Sequence, residues 1–361
     1  MKINIGVIFG GRSGEYEVSL QSARAIVSQL DHDKYEIWPI AVARDGRWYG
    51  PIPEADVPTF DPAHYLGREV MLPAKPGGEL LSAESGDLVV RLDVVFCIIH
   101  GTTGEDGVMQ SLLELAGLPY VGAGVAGSAV GMDKIFMRKI LAYHQIPQVH
   151  FTTLSRWSIE SDMTKALDQV EEALPYPMFV KPANAGSSVG ISKVKDCAEL
   201  AAGLLLASKY DGKVLIEQGL NVREIEVAVL GNDQPKASVA GEIIACNDFY
   251  DYKAKYVDNR SVAQIPAQLT PEQAQTIDSL AKTAYLALDG AGLARVDFFI
   301  DKADGAIYLN EINTLPGFTE ISMYAKLWEA SGLPMTKLLD ELVDLAFARF
   351  RDRQKNCIQL V

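Results

Sequence analysis

The alternation of apolar and polar positions divides the chain into three stretches. The first opens on a compact apolar run, Ile3–Phe9, that stops at Gly10-Gly11. Apolar residues then recur at helical spacing between Val18 and Leu30 (Ala23, Ile26, Val27, Leu30), which predicts an amphipathic helix. Tyr35–Val42 and Asp93–Ile99 are short apolar runs that predict strands. Strand, glycine turn, helix, strand is the start of a parallel α/β sheet. Residues 50–90, rich in Pro and Gly, predict an irregular surface excursion, and the first unit is expected to end near residue 130.

The second stretch, 131–220, has a helical pattern over Asp162–Ala173, a strand at Met178–Lys181, a helix at Ala198–Lys209 and a strand at Val214–Glu217. The third, 221–361, has strand-like runs at Glu224–Leu230 and Ala237–Ile244, then a polar, aromatic loop at 247–261. A helix over 272–288, strands at Leu293–Ile300 and Ala306–Ile312, and a helix near 335–350 follow. No repeat or low-complexity tail interrupts them.

Composition narrows the class. At roughly 150 residues per domain, 361 residues predict two to three domains. Apolar residues at 48% and charged residues at 22% are ordinary for a globular chain, neither disordered nor membrane-embedded. Lys and Arg number 33 against 47 Asp and Glu, a net charge of −14 that argues against nucleic acid or anionic membrane as partner. An anionic substrate would have to be met by local charge. The first apolar run is too short for a signal peptide, and none is long enough to span a bilayer. Cys97, Cys197, Cys246 and Cys357 are scattered, so neither a disulfide framework nor a zinc site is expected. These features together predict a cytoplasmic protein of enzyme size in a reducing compartment.

Five segments carry candidate chemistry. Gly10-Gly11-Arg12-Ser13-Gly14-Glu15 lies between a strand and a helix. Its glycines let backbone N–H groups approach an anion, Glu15 could hold an ammonium group, and a plain tight turn explains the same residues. His100, opening the run to Gly107, stands where an α/β sheet binds ligands, beyond a strand's carboxyl end. A loop histidine bonded to backbone is the alternative. Lys181 precedes the small-residue loop Pro182–Gly190, where Ser hydroxyls, N–H groups and the ammonium could take phosphate. Glu217-Gln218-Gly219-Leu220, with Glu224 beyond, ends a strand at a natural hinge.

Arg295-Val296-Asp297 and Asn310-Glu311-Ile312-Asn313 are the most informative. Arg295 and Asp297 share one strand face, as do Glu311 and Asn313. If the two strands pair, three oxygen ligands converge beside an arginine, a set suited to magnesium. Gly317, in the loop that follows, offers an N–H to an oxyanion, and Ser322 and Met323 sit at a predicted helix start that would welcome a carboxylate. The 247–261 segment reads equally as a lid or an ordinary loop.

In order, the segments GG-x-S-x-E-x-E-VS (10–19), HG-x-x-GEDG (100–107), MDK (132–134), KP-x-x-x-GSSVG (181–190), R-x-D (295–297) and NEINT-x-PGFT (310–319) resemble the D-alanine–D-alanine ligases of the ATP-grasp superfamily. The resemblance runs from residue 3 to about 345. It implies a three-domain α/β ATP-grasp fold: an N-terminal Rossmann-like parallel sheet (1–130), a central subdomain (131–220) and a C-terminal subdomain (221–361) with lid loop 247–261. It implies that ATP phosphorylates one D-alanine carboxylate and that a second D-alanine's amine attacks the acyl phosphate.

Carried over by position, Glu15, Val18 and His100 would line the first D-alanine subsite, and Ser322 and Met323 would receive the second. Lys134, Lys181, Ser188 and Lys255 would meet the ATP phosphates. Glu217, Gln218 and Leu220 would flank the adenine, Glu224 would hold the ribose, and Phe299 would also bind ATP. Asp297, Glu311 and Asn313 would hold two Mg2+ ions, with Mn2+ able to substitute. Arg295 and the Gly317 N–H would stabilise the oxyanion, and Glu15, Ser187 and Tyr256 would tether the lid. The resemblance also implies a homodimer. Relatives making D-alanyl–D-lactate carry Phe or His where Tyr256 stands here, which favours the dipeptide. A depsipeptide ligase, a silent nucleotide-binding scaffold and a ligase for a larger acid are the alternatives.

Overall fold

A computed structural model describes residues 1–186, 189–244, 262–319 and 321–357. Among them are three larger sheets and one small one. In the N-terminal sheet, Ile3–Gly10 lies between Tyr35–Val42 and Val94–Cys97, parallel to both, with Trp48–Tyr49 antiparallel at one edge. Side chains alternate along Ile3–Gly10 as the strand period demands: Ile5, Val7 and Phe9 enter one core and Ile8 another. The helix Tyr16–Gln29 turns Leu20, Ala23, Ile26 and Val27 onto the first of these.

The stretch 50–90 departs from the expected surface excursion. It contains the short helices Glu54–Thr59 and Pro62–Tyr65 and an antiparallel sheet of Val70–Met71, Glu79–Ser82 and Leu88–Arg91. Val57, Phe60 and Tyr65 pack with Phe9 on one face of the parallel sheet, while Leu80 and Val90 pack with Ile8 and Ile40 on the other. The stretch therefore wraps the sheet. Elements of two to six residues, broken by Pro and Gly, carry too little periodicity to be read from the sequence.

The central sheet is antiparallel, in the order Ser192–Val194, Met178–Pro182, Lys213–Gln218, Phe151–Ser155. Helices Met163–Ala173 and Cys197–Ala207 cover one face through Val170, Leu200 and Leu204. The C-terminal sheet runs Val262–Gln264, Gly241–Ile244, Val222–Gly231, Gly292–Asp301, Ile307–Asn313, with Lys236–Ala237 also on Val222–Gly231. The single strand expected over Ala237–Ile244 is thus two. Helix Pro271–Ala287 starts at a Thr270/Gln273 capping box with Pro271 in its first turn and covers this sheet's apolar face. Helices Met323–Ala330 and Met335–Arg353 pack between the N- and C-terminal sheets, joining them through one core.

Helices Val108–Leu115, Val125–Met132 and Lys134–Tyr143 and the strand Phe151–Ser155 go beyond the sequence reading. Lys134–Tyr143 matters most. Asp133 caps it, accepting from the N–H groups of Ile135 and Phe136. Met137 and Leu141 pack on the C-terminal sheet, while Ile135 reaches Ala183 and Leu215 of the central one. Among the described residues, no helix is long and apolar enough to cross a membrane.

Candidate functional site

One cavity of about 270 Å³ opens where the three sheets approach each other. Its first wall is N-terminal. Glu15 begins the helix Tyr16–Gln29, yet its side chain does not cap it. The carboxylate instead lies against two backbones: a Cβ placed on Gly101 or on Gly186 would sit 2.7 Å from Glu15 Oε2. A side chain at either position would push the Glu15 carboxylate away, and at Gly101 it would also meet φ +76°, which favours glycine. Val18 and His100 complete this wall. His100 is 3% exposed, with Nε2 3.0 Å from Ser22 Oγ and Nδ1 3.3 Å from Glu105 Oε1. Burial pushes the Glu105 carboxyl up, His100 and the Gly101 N–H partly offset this, and the Glu15 charge adds to it.

The second wall is the polar face of the C-terminal sheet. The strands Gly292–Asp301 and Ile307–Asn313 do pair, placing Arg295 opposite Asn313 and Asp297 opposite Glu311. On the other side, Glu226 lies opposite Asp297. Directly opposed residues share a face, so Arg295, Asp297, Glu311, Asn313 and Glu226 converge. The Arg295 guanidinium donates to both oxygens of Asp297 at 2.7 and 2.6 Å and lies 3.1 Å from Glu226. Burial works against its charge, but Asp297, Glu226 and Glu311 outweigh this and hold it protonated.

Lys134 enters from the first position of its helix, where the macrodipole disfavours a cation. Its Nζ donates to the Ala185 carbonyl at 3.0 Å and lies 3.5 Å from Glu311. Three carboxylates thus face two cations. Among the described residues no group of three or more His, Cys, Asp and Glu is arranged to hold a metal. The predicted set is two carboxylates and one amide, all oxygen donors on a face with excess negative charge, and that fits a hard divalent cation.

Gly317, Ser322 and Met323 close the cavity. Ser322 is the residue before helix Met323–Ala330, as expected, and its Oγ accepts the Thr319 N–H at 3.0 Å.

Two family signatures match the chain. One, described as "D-ala D-ala ligase N-terminus", covers residues 4–123, and one, described as "D-ala D-ala ligase C-terminus", covers 140–344. The chain belongs to the D-alanine–D-alanine ligase family. A relative from Acetivibrio thermocellus named D-alanine–D-alanine ligase is 47% identical over 98% of each chain. Another of that name, from Heliobacterium modesticaldum, is 47% identical over 99% of this chain and 98% of its own. The solved D-alanine–D-alanine ligase from Coxiella burnetii has TM-score 0.86 at 37% identity, covering 98% of this chain and 96% of that one. VanG D-Ala:D-Ser ligase from Enterococcus faecalis has TM-score 0.86 at 36% identity, over 96% and 100%.

Within this family frame, the remaining predicted residues fall into two places. Gln218, Leu220, Glu224 and Phe299 are partly exposed around the passage from the central to the C-terminal sheet, with Glu224 opposite Phe299. Lys181 and Glu217 are paired with each other, and Arg138 takes the other oxygen of Glu217. Arg138 is 1% and Glu217 2% exposed. Burial alone would push the Glu217 carboxyl up, but Arg138 and Lys181 prevail and hold it below the usual range. Ser187, Ser188, Lys255, Tyr256 and the 247–261 lid lie outside the described residues.

Sequence reasoning missed Glu226, Glu105, Ser22 and Arg138. The alternation Glu224, Ile225, Glu226, Val227 was a signal for the first. Arg138 stands four residues after Lys134, hence on the same helix face. Nothing local marks Ser22.

Proposed function

We infer that this protein joins two D-alanines to D-alanyl–D-alanine, a building block of peptidoglycan, converting ATP to ADP and phosphate through an acyl phosphate. The carrying observation is a single cavity lined by Glu15, His100, Lys134, Arg295, Gly317 and Ser322 in a chain of this family. Glu15 is placed to attract an ammonium group, and Ser322 with the start of its helix a carboxylate, so two zwitterions can lie head to tail. Arg295 and the Gly317 N–H are the groups assigned to charge that develops on the attacked carbonyl.

Lys134, Lys181 and Lys255 are assigned to the phosphates. Lys181 would exchange Glu217 for phosphate, leaving Arg138 on that carboxylate. Glu217, Gln218, Leu220, Glu224 and Phe299 are assigned to the nucleoside. Asp297, Glu311 and Asn313 would hold two magnesium ions, which when bound neutralise phosphate charge and align the transferred group. Ser187 and Tyr256 are assigned to closure, which would protect the acyl phosphate from water. We further propose three units (1–130, 131–220, 221–361), a cytoplasmic site of action and a homodimer, the last checked by sedimentation velocity.

Phosphate release with D-alanine, ATP and magnesium, omitting each in turn, tests the reaction. All three should be required. ADP formation independent of D-alanine would favour the scaffold reading. Competition among D-alanine, D-serine and D-lactate identifies the second substrate, with dipeptide expected to dominate near neutral pH.

A specific substitution addresses the first subsite. Gly101→Ala would put a methyl 2.7 Å from Glu15 Oε2 and 2.8 Å from Ser13 Oγ, at φ +76°. The expected result is a KM for the first D-alanine raised by about tenfold or more while the KM for ATP holds. Unchanged D-alanine saturation would remove Glu15 from that role.

A further inference from the structure

Ser22 is mid-helix in Tyr16–Gln29 and 0% exposed. A helical serine usually meets solvent or bonds back to its own helix, as Ser28 does to the Ala25 carbonyl at 3.0 Å. The hydrogen bonds of Ser22 leave the helix. Its Oγ lies 3.0 Å from His100 Nε2 and accepts the Phe318 N–H at 3.2 Å. The two partners are far apart in sequence and belong to two loops that contribute to the cavity lining, one through His100 and the other through Gly317.

The inventory of donors orders this chain. With Ser22 Oγ accepting from Phe318, its own O–H is available to donate to His100 Nε2. His100 Nδ1–H then donates to Glu105 Oε1, which also accepts the Gly101 N–H at 3.0 Å. Every donor in the sequence Phe318, Ser22, His100 has an acceptor. The chain runs from the loop bearing Gly317 to the loop facing Glu15.

The Phe318 ring is held independently, edge-on to Phe96 of the N-terminal sheet at 5.6 Å. Ring packing sets the depth of the loop. Tyr324 also holds the ring, at 5.6 Å, and the N–H of the Gly317–Phe318 peptide, one peptide on from the Gly317 N–H, has Ser22 as its acceptor. A Cβ on Gly317 would lie 3.9 Å from the same oxygen.

We propose that Ser22 is a positioning residue for ligation: its hydroxyl couples the subsite at Glu15 and His100 to the loop that presents the Gly317 N–H. The role rests on the ligase reading above. Binding of the first substrate against His100 is thereby tied to the aim of the oxyanion donor, so the two halves of the cavity act in one register.

The test compares Ser22→Ala, Ser22→Cys and Ser22→Thr with the unaltered protein by two readouts. The first is amide exchange at Phe318 without substrates. It should accelerate by about tenfold in the Ala and Cys forms, the scale of one lost hydrogen bond, and stay near the original rate in the Thr form. The second is steady-state kinetics, where kcat should fall by about tenfold or more in Ala and Cys, with KM for ATP unchanged, and be largely kept in Thr. Should the Ala form fail to fold, the Cys form carries the test, because it restores the volume without a strong hydrogen bond. Full activity in the Cys form, or unaltered exchange and kcat in the Ala form, would overturn the proposal by leaving Ser22 a packing role. Absence of D-alanine-dependent phosphate release by the unaltered protein would overturn the ligase reading itself, and the coupling role with it.

Discussion

Arg295→Met should abolish measurable ligation, with kcat reduced by about 10²–10³ or more, while nucleotide still binds. The guanidinium is mostly buried on the sheet face and donates to Asp297 through two N–H groups. Charge that develops on a carbonyl beside it meets a donor already aimed, in a site with little water, where such a contact is worth most. Removing it also leaves Glu226 and Asp297 facing each other across paired strands without their shared cation. Thermal stability should therefore fall as well, and activity loss alone would be ambiguous. Arg295→Lys separates the two effects. It retains the charge that the carboxylates need but loses the planar fork, so it should fold and still turn over poorly. Isothermal titration with ADP and phosphate-release kinetics check both variants. Lost nucleotide binding in a well-folded Lys form would contradict the role assigned.

Arg138→Met should destabilise the fold by about 3–5 kcal/mol, read as a lower urea midpoint. Arg138 is nearly sealed from water and pairs with Glu217 of the central sheet. It also donates to the Leu309 carbonyl of the C-terminal sheet at 3.3 Å. One side chain thus ties two sheets across the cleft. Without it, Glu217 keeps only Lys181 among the described residues, and Lys181 is held there rather than released to phosphate, so KM for ATP should rise too. Arg138→Met with Glu217→Gln and Lys181→Met should recover much of the stability, since all three charges of the cluster then leave together. No recovery in the triple variant would show that the loss came from packing.

The same pair sets an acid limit. The Glu217 carboxyl is held below its usual 4.5 in the fold. Its contribution is therefore complete above that value and lost as pH falls through the depressed one. The Glu217→Gln form should show a flatter decline of stability in acid.

Much of the candidate site was legible because its residues come in short runs within strands or just beyond their ends. Arg295 and Asp297, and Glu311 and Asn313, follow the strand period among apolar neighbours, so a shared face could be read before any pairing was known. The ordered segments from residue 10 to 319 identified the family for the same local reason. The stretch 50–90 was misread because its apolar residues follow no period, though they cover both faces of the N-terminal sheet.

The sequence alone determined the kinds of chemistry present: a glycine turn with a carboxylate, a lysine at a strand end, and an arginine among oxygen donors in a chain of net charge −14. Only the tertiary structure decided partnership. Strand register brought Glu226 to Arg295, a helix outside the sequence reading delivered Lys134 and Arg138 into one cleft, and folding set Ser22 between His100 and Phe318. The physical reason is range. Periodicity is written in neighbours three or four residues apart, whereas a buried charge or hydroxyl is satisfied by whatever group folding brings within about 3 Å, here 78 and 296 residues away for Ser22.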